Sequence, residues 1–141
     1  MSGKQSHPGQ IIRGRLAKGV GQGRHFTRLD WARRQFIDKL GIDPFPGTVN
    51  LLVDDSESRS VCGRLTGTPG VRIDNPNSGP NDCDARCFPV ALEGQVDAAI
   101  VLPEVAGYPP NQIEIIAPIC VRDALGIDDG DWLELEIRQG S

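Results

Sequence analysis

Pro44-Phe45-Pro46-Gly47-Thr48-Val49-Asn50-Leu51-Leu52-Val53 is the stretch on which the reading of this chain turns. Two prolines fix φ on the approach, and Gly47 permits a left-handed or closely packed backbone. An apolar run follows at once, so a rigid turn opens directly into a strand. On a strand Thr48 and Asn50 point to one face and Val49 to the other, toward a core. One face therefore offers a hydroxyl and an amide oxygen, both neutral, hard donors. Such a pair suits a Mg²⁺ ion whose remaining ligands are waters and substrate phosphates. A well-made turn with a polar strand start would carry the same letters, so the rest of the chain has to decide.

Around that strand the composition favours β structure. Gly 17 and Pro 11 in 141 residues are high for a helical protein and suit a fold with many turns. The length predicts one domain with one core, over residues 11–138, preceded by a polar, disordered stretch at residues 1–10. Hydrophobic residues at 38% and charged residues at 24% are ordinary for a soluble globular protein. A net charge of −4 argues against a general nucleic-acid binder. No apolar run approaches a membrane span and the N-terminus has no signal-peptide core, so the expectation is a cytoplasmic protein with no membrane partner. The cysteines at 62, 83, 87 and 120 form no C-x-x-C. Free thiols are expected, with a zinc on Cys62, Cys83 and Cys87 as the alternative.

Ile11 and Ile12 begin a strand that runs through Gly14 and Leu16 to Ala17. Lys18 to Phe26 then sets Gly19, Gly21 and Gly23 at alternate positions in a loop ending on Arg24-His25. Such a loop lets backbone N–H groups approach a polyphosphate. It is neither a Walker motif nor a dinucleotide fingerprint, and a flexible hairpin would share its spacing. Asp30 is the expected N-cap of a helix over about 30–40, on which Trp31, Phe36, Ile37 and Leu40 recur near helical spacing before Gly41 stops it. Arg33, Arg34, Asp38 and Lys39 form its solvated face.

Residues 54–70 are polar and show no clear period. Val71-Arg72-Ile73 reads as a short strand, and Asn75 to Asp84 as a loop. Residues 87–92 and 96–102 form a hairpin about Glu93-Gly94, ended by Pro103, with a further loop at 104–111. Ile113-Glu114-Ile115-Ile116-Ala117-Pro118 is an apolar strand interrupted by a carboxylate. Carboxylates are almost never fully buried without a partner, so Glu114 must face solvent, a ligand or a cation. An edge strand in water is the plain alternative. Val121 to Gly126 makes a helical turn, and Trp132 to Ile137 the last strand. Six strands, one main helix, a short helix near 121–125 and no βαβ rhythm give a mainly β fold, a small barrel.

Taken together, Gly19-x-Gly21-x-Gly23-Arg24-x-Phe26, Leu40-Gly41-x-x-Pro44-x-x-Gly47-Thr48-x-Asn50-Leu51, Ile113-Glu114-Ile115-Ile116-Ala117-Pro118 with Arg122, and Leu125-Gly126-x-x-Asp129-Gly130-Asp131 resemble the archaeal-type CTP-dependent riboflavin kinases. Order and spacing agree over roughly residues 11–137. The resemblance implies a six-stranded cradle-loop (swapped-hairpin, RIFT-type) barrel related to the AbrB-type barrels. It implies transfer of the CTP γ-phosphoryl group to the 5′-hydroxyl of riboflavin, giving FMN and CDP.

By the same resemblance, Gly19, Val20, Gly21, Gln22, Gly23, Arg24 and His25, with Ile119, Cys120, Val121 and Arg122, bind the nucleotide. Thr48 and Asn50 hold Mg²⁺, and Glu114, Ala106 and Tyr108 lie toward the acceptor. Glu114, Arg24 and Arg122 are the expected catalytic groups, since phosphoryl transfer needs positioning and charge neutralisation more than covalent chemistry.

One departure falls on the acceptor side. Where the family reads Arg-Thr-His-Tyr-Pro, this chain reads Val105-Ala106-Gly107-Tyr108-Pro109, so a flavin-contacting hydroxyl is missing at Ala106. Losing one hydrogen-bonding partner shifts specificity sharply. The alternatives are a CTP-dependent kinase of another hydroxylated small molecule, or a non-catalytic nucleotide- or DNA-binding barrel. The chain as read carries no helix-turn-helix ahead of the barrel.

Overall fold

The structure, a computed structural model, describes residues 10–17, 29–46, 49–77, 84–104 and 111–138. Strand β1 is Ile11–Ala17. Helix α1, Asp30–Gln35, continues as one π-helical turn, Phe36–Leu40. There follow β2 (Val49–Leu52), α2 (Ser56–Thr66), β3 (Val71–Ile73), β4 (Ala85–Leu92) and β5 (Val96–Pro103). The chain then forms β6 (Gln112–Ile116), α3 (Val121–Leu125) and β7 (Trp132–Ile137).

All strand pairs are antiparallel, and β7 pairs back onto β4, so β4-β5-β6-β2-β1-β7 closes into the expected six-stranded barrel. The second edge of β4 is divided. Its first half, Ala85 to Cys87, carries the extra strand β3, while Val90 to Leu92 meet β7. Closure removes the open edges that a six-stranded sheet would otherwise expose.

Alternation along the strands builds two cores on either side of the barrel wall. Ile12, Leu51, Leu92, Ile113, Ile115 and Leu135 fill the interior. Outside, Ala32, Phe36 and Ile42 from the α1 region pack over Cys87, Ala99, Val101 and Ile116. Gly14 is fixed by contact rather than torsion: a Cβ there would stand 2.8 Å from the Leu52 carbonyl oxygen, where β1 crosses β2 closely.

Three details differ from expectation. The N-cap of α1 is Leu29, with no side-chain cap bond, and Asp30 is the first helical residue. Its carboxylate there still favours the positive end of the helix dipole. Ile37 is exposed, Phe36 having taken the inward place on the π turn. The polar stretch after Val53 contains α2, capped by Asp55, whose carboxylate accepts the Ser58 N–H at 2.8 Å. Gly41 ends α1 as expected, at φ +71°.

Cys62 packs against the interior core and Cys87 lies in the outer one, so the two thiols are on opposite sides of the wall and share no ion. Cys83 lies outside the described residues. Burial pushes the Cys62 thiol up to about 11 and that of Cys87 to about 12. Among the described residues no helix is long and apolar enough to cross a membrane.

Candidate active site

Strands β2 and β6 lie side by side in the barrel wall. Leu51 and Ile113 face inward as cross-strand partners, which turns Asn50 and Glu114, themselves partners, to the outer face. Glu114 is 0% exposed and sits between β2 and β5, opposite Val101 on the latter. The edge-strand alternative is thereby excluded: β6 is a central strand and its carboxylate is out of solvent.

Gln112, two residues before Glu114, shares this face. Its side-chain amide donates to Asn50 Oδ1 at 3.3 Å. Asn50 is 7% and Gln112 8% exposed, so three of the four buried polar or charged residues among those described form this one row. Replacing both partners of a buried polar pair by apolar side chains of the same shape is close to neutral or stabilising, so a wall built only for stability has no need of this row. Concentrated buried polarity of this kind marks a site.

Val49 and Ile115, one step along the same strands, point the other way and floor a cavity of about 200 Å³. Phe45 and Pro46 line one side, and Ile119, Cys120, Val121 and Arg122 another. The Phe45 N–H donates to the Ala117 carbonyl at 2.7 Å and ties the rim to the end of β6. Phe45 is 45% and Ile119 40% exposed, two apolar side chains turned toward solvent at the mouth. Arg122 Nη2 donates to Asp129 Oδ1 at 2.6 Å, which anchors the guanidinium beside the cavity. Polar row and cavity thus lie on opposite faces of one strand pair.

Of the residues singled out from sequence, Asn50 and Glu114 meet in the row, and Ile119, Cys120, Val121 and Arg122 meet in the cavity. Gly19, Val20, Gly21, Gln22, Gly23, Arg24, His25, Thr48, Ala106 and Tyr108 lie outside the described residues. Their chain neighbours do converge, however. Ala17, which leads into the glycine segment, is the β1 partner of Asn50, and Gln112 opens the strand that follows 105–110. Phe45, Val49 and Gln112 are site residues that the sequence reading passed over. For Gln112 a signal existed, its two-residue offset from Glu114.

The donor set fits a hard divalent cation that keeps most of its water: Asn50 contributes a neutral amide oxygen on a wall shared with a carboxylate. Among the described residues there is no group of three His, Cys, Asp or Glu side chains of the kind that would form an all-protein cage.

A family model named for CTP-dependent riboflavin kinase, and described as a domain of unknown function (DUF120), matches residues 16–137. The riboflavin kinase of Methanosarcina barkeri is 39% identical over 129 residues, covering 91% of this chain and 56% of that protein. That of Archaeoglobus fulgidus is 36% identical over 127 residues, covering 89% and 54%. The riboflavin kinase of Ignicoccus hospitalis is 36% identical over 124 residues, covering 88% and 69%. The chain thus spans about half the length of the first two relatives and about two thirds of the third.

Proposed function

The chain belongs to the CTP-dependent riboflavin kinase family, and on that premise we propose that it transfers the γ-phosphoryl group of CTP to the 5′-hydroxyl of riboflavin, giving FMN and CDP. The observation that carries this reading is the Asn50–Glu114 pair, directly opposed across β2 and β6 and withdrawn from solvent.

The roles follow the family resemblance. The nucleotide lies along Ile119 to Arg122, with its phosphates reaching the backbone N–H groups of Gly19 to His25. Thr48 and Asn50 would hold Mg²⁺ next to those phosphates. Bound there, the ion would neutralise charge on the β- and γ-phosphoryl oxygens. Arg24 and Arg122 add fixed positive charge to the same end of the substrate, where charge stabilisation acts most strongly. Glu114 receives the acceptor hydroxyl, orients it in line with the γ-phosphorus and accepts its proton. The resemblance assigns Tyr108 and Ala106 to the flavin side.

The reading is tested by incubating the chain with riboflavin, Mg²⁺ and either CTP or ATP, and separating the products by chromatography. FMN and CDP are expected from CTP, with little product from ATP. CDP formed only with another metabolite would leave the donor half standing and replace the acceptor. The missing hydroxyl at Ala106 is the feature that favours such a replacement. No CDP under any condition would leave a binding barrel.

A further inference from the structure

We propose that Gln112 is a positioning residue for Asn50, setting which end of the Asn50 amide faces the cation; the inference rests on the reading of Asn50 as a Mg²⁺ ligand. The two ends of an asparagine amide are unequal. Oδ1 has two lone pairs, whereas Nδ2 carries only donors and cannot ligate a cation. Rotation by half a turn therefore converts a ligand into a repulsive group.

Gln112 opposes that rotation, because a flip of Asn50 alone would set its Nδ2–H against the Gln112 Nε2–H. Its Nε2–H donates to Asn50 Oδ1 across the β2–β6 pair, a buried bond between residues 62 apart in sequence. The bond occupies one lone pair and leaves the second available to a cation. Register explains how it can form: Gln112 is the partner of Leu52, so its longer side chain reaches diagonally to Asn50, while Glu114 stands directly opposite.

Among the described residues, the Gln112 side chain bonds to Asn50. Burying a glutamine costs up to about 2 kcal/mol of side-chain entropy. Two steps further along the same face the strand carries Ile116, buried among apolar neighbours. The polar choice at 112 is therefore explained by what it bonds to. Partners that orient a metal ligand typically change metal affinity by roughly 10- to 100-fold when removed.

The test uses Mn²⁺ as probe, with free ion followed by electron paramagnetic resonance in the presence of saturating CDP. Gln112→Met should weaken Mn²⁺ binding roughly 10- to 100-fold, leave CDP affinity in EDTA unchanged, and add nothing in an Asn50→Ala background. Gln112→Glu keeps the size but loses the donor, and should weaken binding as well; it carries the test if the methionine variant does not fold. Unchanged Mn²⁺ affinity in Gln112→Met, alongside its loss in Asn50→Ala, would remove the positioning role and keep the metal reading. Independent, additive losses would also overturn it, as would tighter binding in Gln112→Glu, which would make position 112 a ligand. An Asn50→Ala variant that binds Mn²⁺ normally would remove the metal reading and this inference with it.

Discussion

Glu114 has no solvent exposure, and its neighbours along the strand face inward. Glu114→Gln keeps the size but exchanges one carboxylate oxygen for an NH2 donor, and so removes the proton acceptor. We expect FMN formation to fall roughly one hundred- to ten-thousand-fold, with KM for CTP and the melting temperature little changed. Steady-state kinetics with a melting curve on the same sample check this. Cys87 offers a second residue-scale prediction. Its folded thiol is held up to about 12, against an ordinary value of 9.0, because burial disfavours the thiolate. The unfolded chain therefore loses this proton first as pH rises. The associated stability is complete below about pH 9 and is lost on the way to the folded value, by about 1.4 kcal/mol per pH unit. Urea melts at pH 8.5 and 10.5 should show that loss in the parent protein and a shallower one in Cys87→Ala.

Among the elements, α2 shows what a sequence pattern hides. Ser58, Val61, Cys62 and Leu65 recur at helical spacing and turn toward the barrel, yet only two of them are apolar enough to stand out from the polar residues between. The cap was equally quiet, since Asp55 follows another aspartate and precedes serines that alternate with charged residues. Asp55→Ala should cost about 1 kcal/mol, read as a lower melting temperature with activity retained. The strands were easier to read because alternation survives burial on one face: Trp132 to Ile137 alternates cleanly, and the structure buries Leu133, Leu135 and Ile137. The contact between Gln112 and Asn50 left no such trace, because no periodicity links positions so far apart. The cavity was hidden for a related reason, as Phe45 and Ile119 come together only once the barrel has closed.

For the molecule as a whole, closure divides the sheet into a protected ring and an appendage. β6 is hydrogen-bonded on both edges, to β2 and β5, whereas β3 is attached only to β4 among the strands. Arg72 on β3 is tied by ion pairs to Asp84 and Glu104, but pairs this exposed add little, about 0–1 kcal/mol each. Hydrogen–deuterium exchange should accordingly find the backbone amides of Ile113 and Ile115 among the slowest, and those of β3 faster by orders of magnitude. Equal protection would mean that the appendage unfolds only with the ring. The wall between β2 and β6 has a further consequence. On both strands the odd positions, 49 and 51 against 113 and 115, look inward, and the even positions, 50 against 112 and 114, look outward. The cavity and the polar row are therefore distinguished by parity alone. Inserting or deleting one residue within either strand would exchange their faces, whereas a shift of two would preserve them. Evolution of this site can exchange side chains that keep the character of each face but cannot change the residue count of either strand by one.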